Sequence, residues 1–157
     1  PAQNVYEYQA SPIAVADNYG AGCSGPGGAL SMSADDLPWN GRTFSVTGTG
    51  FGANSVGVLM LSVNQLLPGV FPINPGLVGI IPGPGVGCDL LIGTLDYNQG
   101  LLPAAGRVNR ALPLPDSSVD PALPGVTFYL QMAELDFFPS WIGTYTTNGI
   151  TCTVGAL

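Results

Sequence analysis

The chain has 157 residues, the size of one ordinary domain, and only 8% of them are charged. Its formal net charge is −7, it has no Lys or His, and its cations are Arg42, Arg107 and Arg110. Nucleic-acid binding, which needs a basic face against phosphate, is therefore excluded, and an anionic membrane surface repels such a chain. Catalysis that relies on imidazole or a lysine amine is excluded as well.

Hydrophobic residues make up 46%, with 23 Gly and 15 Pro. That apolar content argues against disorder and for short strands joined by many turns. So little charge leaves a surface of small polar and apolar groups, which suits contact between protein copies. No apolar run reaches the roughly 18 residues needed to span a bilayer. The chain opens on Pro1, which reads as a mature form without its targeting segment. It lacks an Asn-x-Ser/Thr sequon, and three cysteines fit an oxidising, extracellular compartment.

In chain order, Val5–Gln9 and Ile13–Ala16 read as two short extended pieces, bent at Pro12. Gly20–Gly28 is turn-rich and reads as a hinge. Ala29–Ala34 reads as a strand, followed by a turn with Asn40-Gly41 at its tip. Thr43–Gly48 alternates Phe44 and Val46 with polar residues, a half-buried strand. Val56–Val63 is a near-continuous apolar run of strand length, the mark of a central strand.

Asn64–Gly87 carries Pro68, Pro72, Pro75, Pro82 and Pro84 among apolar residues. It reads as a loop covering an end of the sandwich or meeting a neighbour. Cys88–Leu95 is expected to be a strand, as is the more polar Gly106–Leu114. Val126–Leu135 alternates most clearly, with Val126, Phe128, Leu130 and Met132 on one face. Thr144–Thr147 and Gly149–Val154 form the last strand or hairpin. About seven or eight strands with turns between them predict an all-β, Ig-like or jelly-roll-type sandwich. The expected organisation is an arm at 1–19, a hinge at 20–28 and the sandwich at 29–157.

Several motifs occur in order: Gly20-Ala21-Gly22-Cys23, Gly41-Arg42-Thr43-Phe44-Ser45-Val46 and Gly87-Cys88-Asp89-Leu90-Leu91, then Leu112-Pro113-Leu114-Pro115-Asp116, Gly125–Gln131 and Asn148-Gly149-Ile150. Together they resemble a large group of secreted, mostly uncharacterised β-sandwich modules of environmental bacteria, including planctomycete-like lineages. The resemblance covers roughly 20–155 and implies fold more than chemistry. Residues 1–19, much of 64–87, and Cys152 depart from it. An extended arm before such a module is similar in plan to pilus subunits that donate a strand to a neighbour.

Cys23 and Cys88 both lie inside the resembled module and are expected to pair, pinning the hinge to the body. Cys152 alternates with Ile150 and Val154 and is expected to be a buried free thiol. The carboxylate pairs Asp35/Asp36, Glu134/Asp136 and Asp116/Asp120 are assigned to turns and strand ends. No catalytic residue, cofactor or metal site is expected, although Asp35/Asp36 and Asp116/Asp120 offer oxygen ligands to calcium. Tyr6, Tyr8, Tyr19, Trp39, Tyr97, Trp141 and Tyr145 are candidates for a glycan platform, with core or interface duty as the alternative.

Two readings of the arm stand side by side. Residues 1–19 are the first strand of the chain's own sandwich, or they add to the open sheet edge of the next copy. The exchanged strand is the expectation adopted, with Val5, Tyr6, Tyr8, Ile13 and Val15 at the interface. The function expected is then a secreted subunit of an extracellular filament or pilus, whose partners are copies of itself. A secreted monomeric glycan-binding or adhesive module is the alternative.

Overall fold

A computed structural model describes residues 11–73, 88–137 and 142–157. Their strands are β1 (Val15–Tyr19), β2 (Ser24–Gly25), β3 (Gly28–Ala29), β4 (Ser31–Ala34), β5 (Thr43–Thr49), β6 (Ser55–Ser62), β7 (Tyr97–Leu101), β8 (Arg107–Pro113), β9 (Thr127–Phe137) and β10 (Ile142–Thr153). No helix occurs among the described residues. A five-stranded sheet runs β1-β10-β9-β6-β7, a three-stranded sheet runs β4-β5-β8, and β2 pairs with β3. All of these strand pairs are antiparallel. The fold is thus the expected all-β sandwich, with ten strands among the described residues where turn spacing suggested about seven or eight.

Alternation builds the core. Met32, Phe44, Val46 and Val108 of the smaller sheet meet Leu59, Phe128, Leu130, Met132, Ile150 and Cys152 of the larger. Phe44 and Phe128 touch edge to face across the sheets, with ring centroids 6.3 Å apart. The larger sheet is also covered on its other face. There Met60 and Ala133 pack with Ile92, and Cys23, Ile73 and Cys88 form a second cluster. Burial on both faces explains why β6 reads as a near-continuous apolar run between its terminal serines.

Asn148 stitches the sheets together. Its Oδ1 accepts from Met32 N at 2.7 Å and its Nδ2 donates to Met32 O at 3.0 Å. It occupies the irregularity between Thr146 and Gly149 in the β9–β10 pairing, where the ladder is broken and a side chain takes over.

Two expectations are corrected, one is settled between its alternatives, and one strand is added. Cys88–Leu95 is not a strand: it makes only isolated bridges, Pro72↔Asp89 and Gln65↔Ile92, and lies on the outer face of the larger sheet. The described parts of the 64–87 loop therefore cover a sheet face, not an end of the sandwich. Of the expected last strand or hairpin, the strand is what forms, with one bulge, as β10. Finally, Tyr97–Leu101 forms an edge strand that polar composition and shallow burial hid from the sequence.

Candidate assembly interface

The arm divides at Ala14. Val15–Tyr19 pairs with Gly149–Thr153 of the same chain, Val15 opposite Thr153 and Tyr19 opposite Gly149. The Tyr19 hydroxyl donates to Leu91 O at 2.7 Å, and burial pushes its ionisation well above the usual tyrosine value. Val15 is therefore an edge residue of its own sheet, which corrects its assignment to an exchanged strand. Stripping β1 from β10 forfeits a five-residue ladder together with the Tyr19 contact.

The segment at 20–28 is likewise held to the body. Cys23 N donates to Thr146 O at 2.9 Å, Leu30 N donates to Cys23 O at 3.0 Å, and a disulfide joins Cys23 to Cys88 across a sequence separation of 65. In the chain-entropy model a loop of this length is worth about 4 kcal/mol. Gly22 and Gly27 leave no room for a Cβ against the backbone of Leu30 and Phe51, so this glycine-rich stretch serves close packing. Upstream, Ile13 is 74% exposed. Val5, Tyr6 and Tyr8, expected at an interface, lie outside the described residues.

The opposite edge of the sandwich is open among the described residues. β7 ends the larger sheet and β8 ends the smaller one, each with its second edge unpaired among the described residues. The chain passes from one sheet to the other through Leu102–Gly106, an arch in which Leu102 is 82% exposed. Away from the arch, Leu61, Val63, Tyr97, Arg110, Leu112, Leu114, Val126 and Phe128, with Pro113 and Leu123, line an open groove of about 490 Å³.

Its lining is apolar apart from Arg110 and the Tyr97 hydroxyl, which donates to Gln99 Oε1 at 2.6 Å. Val108, Arg110 and Leu112 share the inward face of β8, while Arg107, Asn109 and Ala111 face out. The Nε of Arg110 is buried and lacks a hydrogen-bond partner among the described residues. A cation in the apolar phase of a strand was a signal available in the sequence.

The carboxylates fall into two groups. Asp36 Oδ1 accepts from Ser45 N at 2.8 Å, Asp116 Oδ1 from Ser118 N at 2.8 Å, and Asp120 Oδ1 from Ala122 N at 3.1 Å. These are the turn and strand-end duties expected of them. Glu134 and Asp136 instead lie buried on β9. Glu134 Oε1 accepts from Gly52 N, and Oε2 lacks a partner among the described residues. The described residues contain no group of three or more possible metal ligands drawn from His, Cys, Asp and Glu.

The aromatic candidates do not converge among the described residues. Tyr19 packs edge-on against Tyr129 at 6.2 Å, Trp39 bridges to Gly155, and Tyr145 joins the cluster around Cys23. Tyr97 alone of them reaches the groove, while Tyr6, Tyr8 and Trp141 lie outside the described residues. Cys152 is free and fully buried, and burial pushes its thiol up to about 12.

No protein-family model matches the chain, and a search of curated proteins finds no match for it. The described residues contain no helix long and apolar enough to cross a membrane.

Proposed function

We propose that the chain is a structural subunit of a secreted, extracellular filament, joined head to tail by the segment that precedes Ser11. The observation that carries this reading is the edge of β8, unpaired among the described residues, beside an apolar groove between the two sheets. An open edge and an apolar cleft are both costly in water, and one added strand satisfies both. Burying a few Val, Ile or Tyr side chains at roughly 1.5–3 kcal/mol each makes a strong joint.

The disulfide suits an oxidising compartment. Exposed Ile13, Leu102 and Val119 on a chain with 8% charge suit burial between copies. A heterologous contact of this kind does not close on itself and so propagates. The second reading, a glycan-binding module, rests on Tyr97 in a groove of small-molecule size. Negative-stain microscopy of the secreted chain separates the two, because the filament reading requires polymers and the module reading requires monomers.

A further inference from the structure

We propose that Glu134 and Asp136 of β9, together with the turn at 50–52, form a site for a divalent cation, calcium. The site lies at the end of the sandwich where β7 passes to β8, since Phe51 N donates to Gly106 O at 3.2 Å. It is independent of the filament reading.

The alternation of β9 places the pair. Phe128, Leu130 and Met132 fill the core, and Glu134 and Asp136 continue the same row, so both carboxylates look between the sheets. Glu134 is 0% exposed and Asp136 5%. Their neighbours on the adjacent strands are small: Gly57 of β6 beside Glu134, and Ser55 of β6 and Gly143 of β10 beside Asp136. A Cβ at Gly52 would lie 3.2 Å from Glu134 Oε1 and 3.6 Å from Asp136 Oδ1, and a Cβ at Gly25 would overlap Glu134 Oε2. Glycine at these places keeps side chains off the carboxylates, and the two acids turn an oxygen each toward the same spot.

The unmet demand is electrostatic. Glu134 Oε1 accepts from Gly52 N, whereas Oε2 is buried and has no hydrogen-bond partner. No arginine therefore donates to it: Arg42 and Arg107 are exposed, and Arg110 lines the groove beside β8. A charged oxygen withdrawn from water without a partner is among the costliest groups a core can hold. A second carboxylate beside it adds repulsion that the low dielectric strengthens. A bound cation removes both costs. The orphaned Oε2, more than the closeness of two acids, is what points to a ligand.

The donors choose the ion. They are all oxygen, which suits a hard cation, Ca²⁺ or Mg²⁺. Two carboxylates on one strand leave the rest of the shell to neutral oxygens. These are Ser55 Oγ, which donates to Gly52 O at 2.9 Å, and water entering past the exposed Ala53 and Asn54. Calcium accepts such an irregular, partly hydrated shell, whereas magnesium demands a near-ideal octahedron. So few acidic ligands set the affinity in the range of extracellular modules, with Kd about 0.1–1 mM. Bound there, calcium ties the turn from β5 to β6, which links the two sheets, onto β9.

The test is thermal unfolding of the full chain in EDTA and with CaCl₂ added. At about 10 mM Ca²⁺ the parent is expected to gain about 3–10 °C in Tm over its value in EDTA. Glu134→Gln and Asp136→Asn keep the shape without the charge, and each is expected to lose most of that gain. Asp116→Asn, on an exposed turn, is expected to keep it. Calorimetric titration of the folded parent is expected to give a single calcium site per chain and a weaker response to MgCl₂. A parent that gains nothing from calcium overturns the site. A gain undiminished in Glu134→Gln and in Asp136→Asn puts the ion elsewhere and overturns it as well, and either variant decides the matter if the other fails to fold. An equal gain from magnesium keeps the site and overturns the choice of calcium.

Discussion

Tyr19 lies opposite Gly149 in the β1–β10 pair, and a Cβ at Gly149 would overlap the Tyr19 ring. The ring takes the space the glycine leaves and sends its hydroxyl on to Leu91 O at 2.7 Å. One residue thus ties the first strand to the last strand and to the loop that covers them. Tyr19→Phe removes one of the two donors to Leu91 O, which keeps Leu66 N at 2.9 Å, and is expected to cost about 1 kcal/mol. Gly149→Ala forces the ring out of place and is expected to cost more, about 1–3 kcal/mol. Urea unfolding of the two variants measures both, and equal stability of all three proteins contradicts the packing described.

The Asn148 side chain holds both backbone groups of Met32. Asn148→Ala strands buried donors and acceptors on two sheets at once, so about 2–4 kcal/mol is the expected loss. Asn148→Asp keeps the acceptor for Met32 N and loses the donor to Met32 O, and it is expected to fall between. Thermal or urea unfolding ranks the three proteins, and an alanine variant as stable as the parent removes the stitch from the account.

Cysteine chemistry gives a prediction independent of assembly. Peptide mapping without reduction is expected to recover Cys23 joined to Cys88 and Cys152 unmodified. Cys152 is fully buried and its thiol is pushed up to about 12, so alkylating reagents at pH 8 are expected to leave it untouched until the chain unfolds. Rapid labelling of the folded protein contradicts the burial.

Acid is expected to weaken the fold through two surface carboxylates. Hydrogen bonds from Val63 N and the Thr94 hydroxyl lower Asp96, and those from the Ser118 hydroxyl and Ser118 N lower Asp116. Both folded values lie below the ordinary 3.8. The stabilisation is therefore fully present above 3.8 and is lost as pH falls through the folded values. Both groups are fully exposed, so the effect is small and salt-sensitive. Carboxyl-carbon NMR titration is expected to place both midpoints below those of the unfolded chain, and midpoints at or above them contradict the hydrogen bonds.

The fold was legible wherever one periodicity ruled. Phe44/Val46 and Phe128/Leu130/Met132 announced half-buried strands, and the turn at Asn40-Gly41 is present, with Arg42 N donating to Trp39 O at 3.2 Å and Gly41 at φ 69°. Legibility failed where burial did not come from alternation. Cys88, Leu91 and Ile92 are buried because they lie flat on a sheet, a placement that leaves no strand pattern. Tyr97–Leu101 escaped because an exposed edge strand needs no apolar face. In the arm, Ile13–Ala16 read as extended, but sequence alone does not say whose sheet an extended segment joins. The ladder from Val15 to Tyr19 answers that for the second half of the arm.

The central claim, that copies join through the segment before Ser11 at the edge of β8 that is unpaired among the described residues, is tested most directly by negative-stain microscopy of the full chain beside Leu102→Asp. Leu102 is 82% exposed, so the substitution leaves the fold intact while placing a charge on the arch that joins β7 to β8. The account predicts unbranched filaments from the parent chain, and short or absent ones from the variant at the same concentration. A parent chain that remains monomeric at every concentration contradicts it, and filaments of undiminished length from Leu102→Asp contradict the placement of the joint.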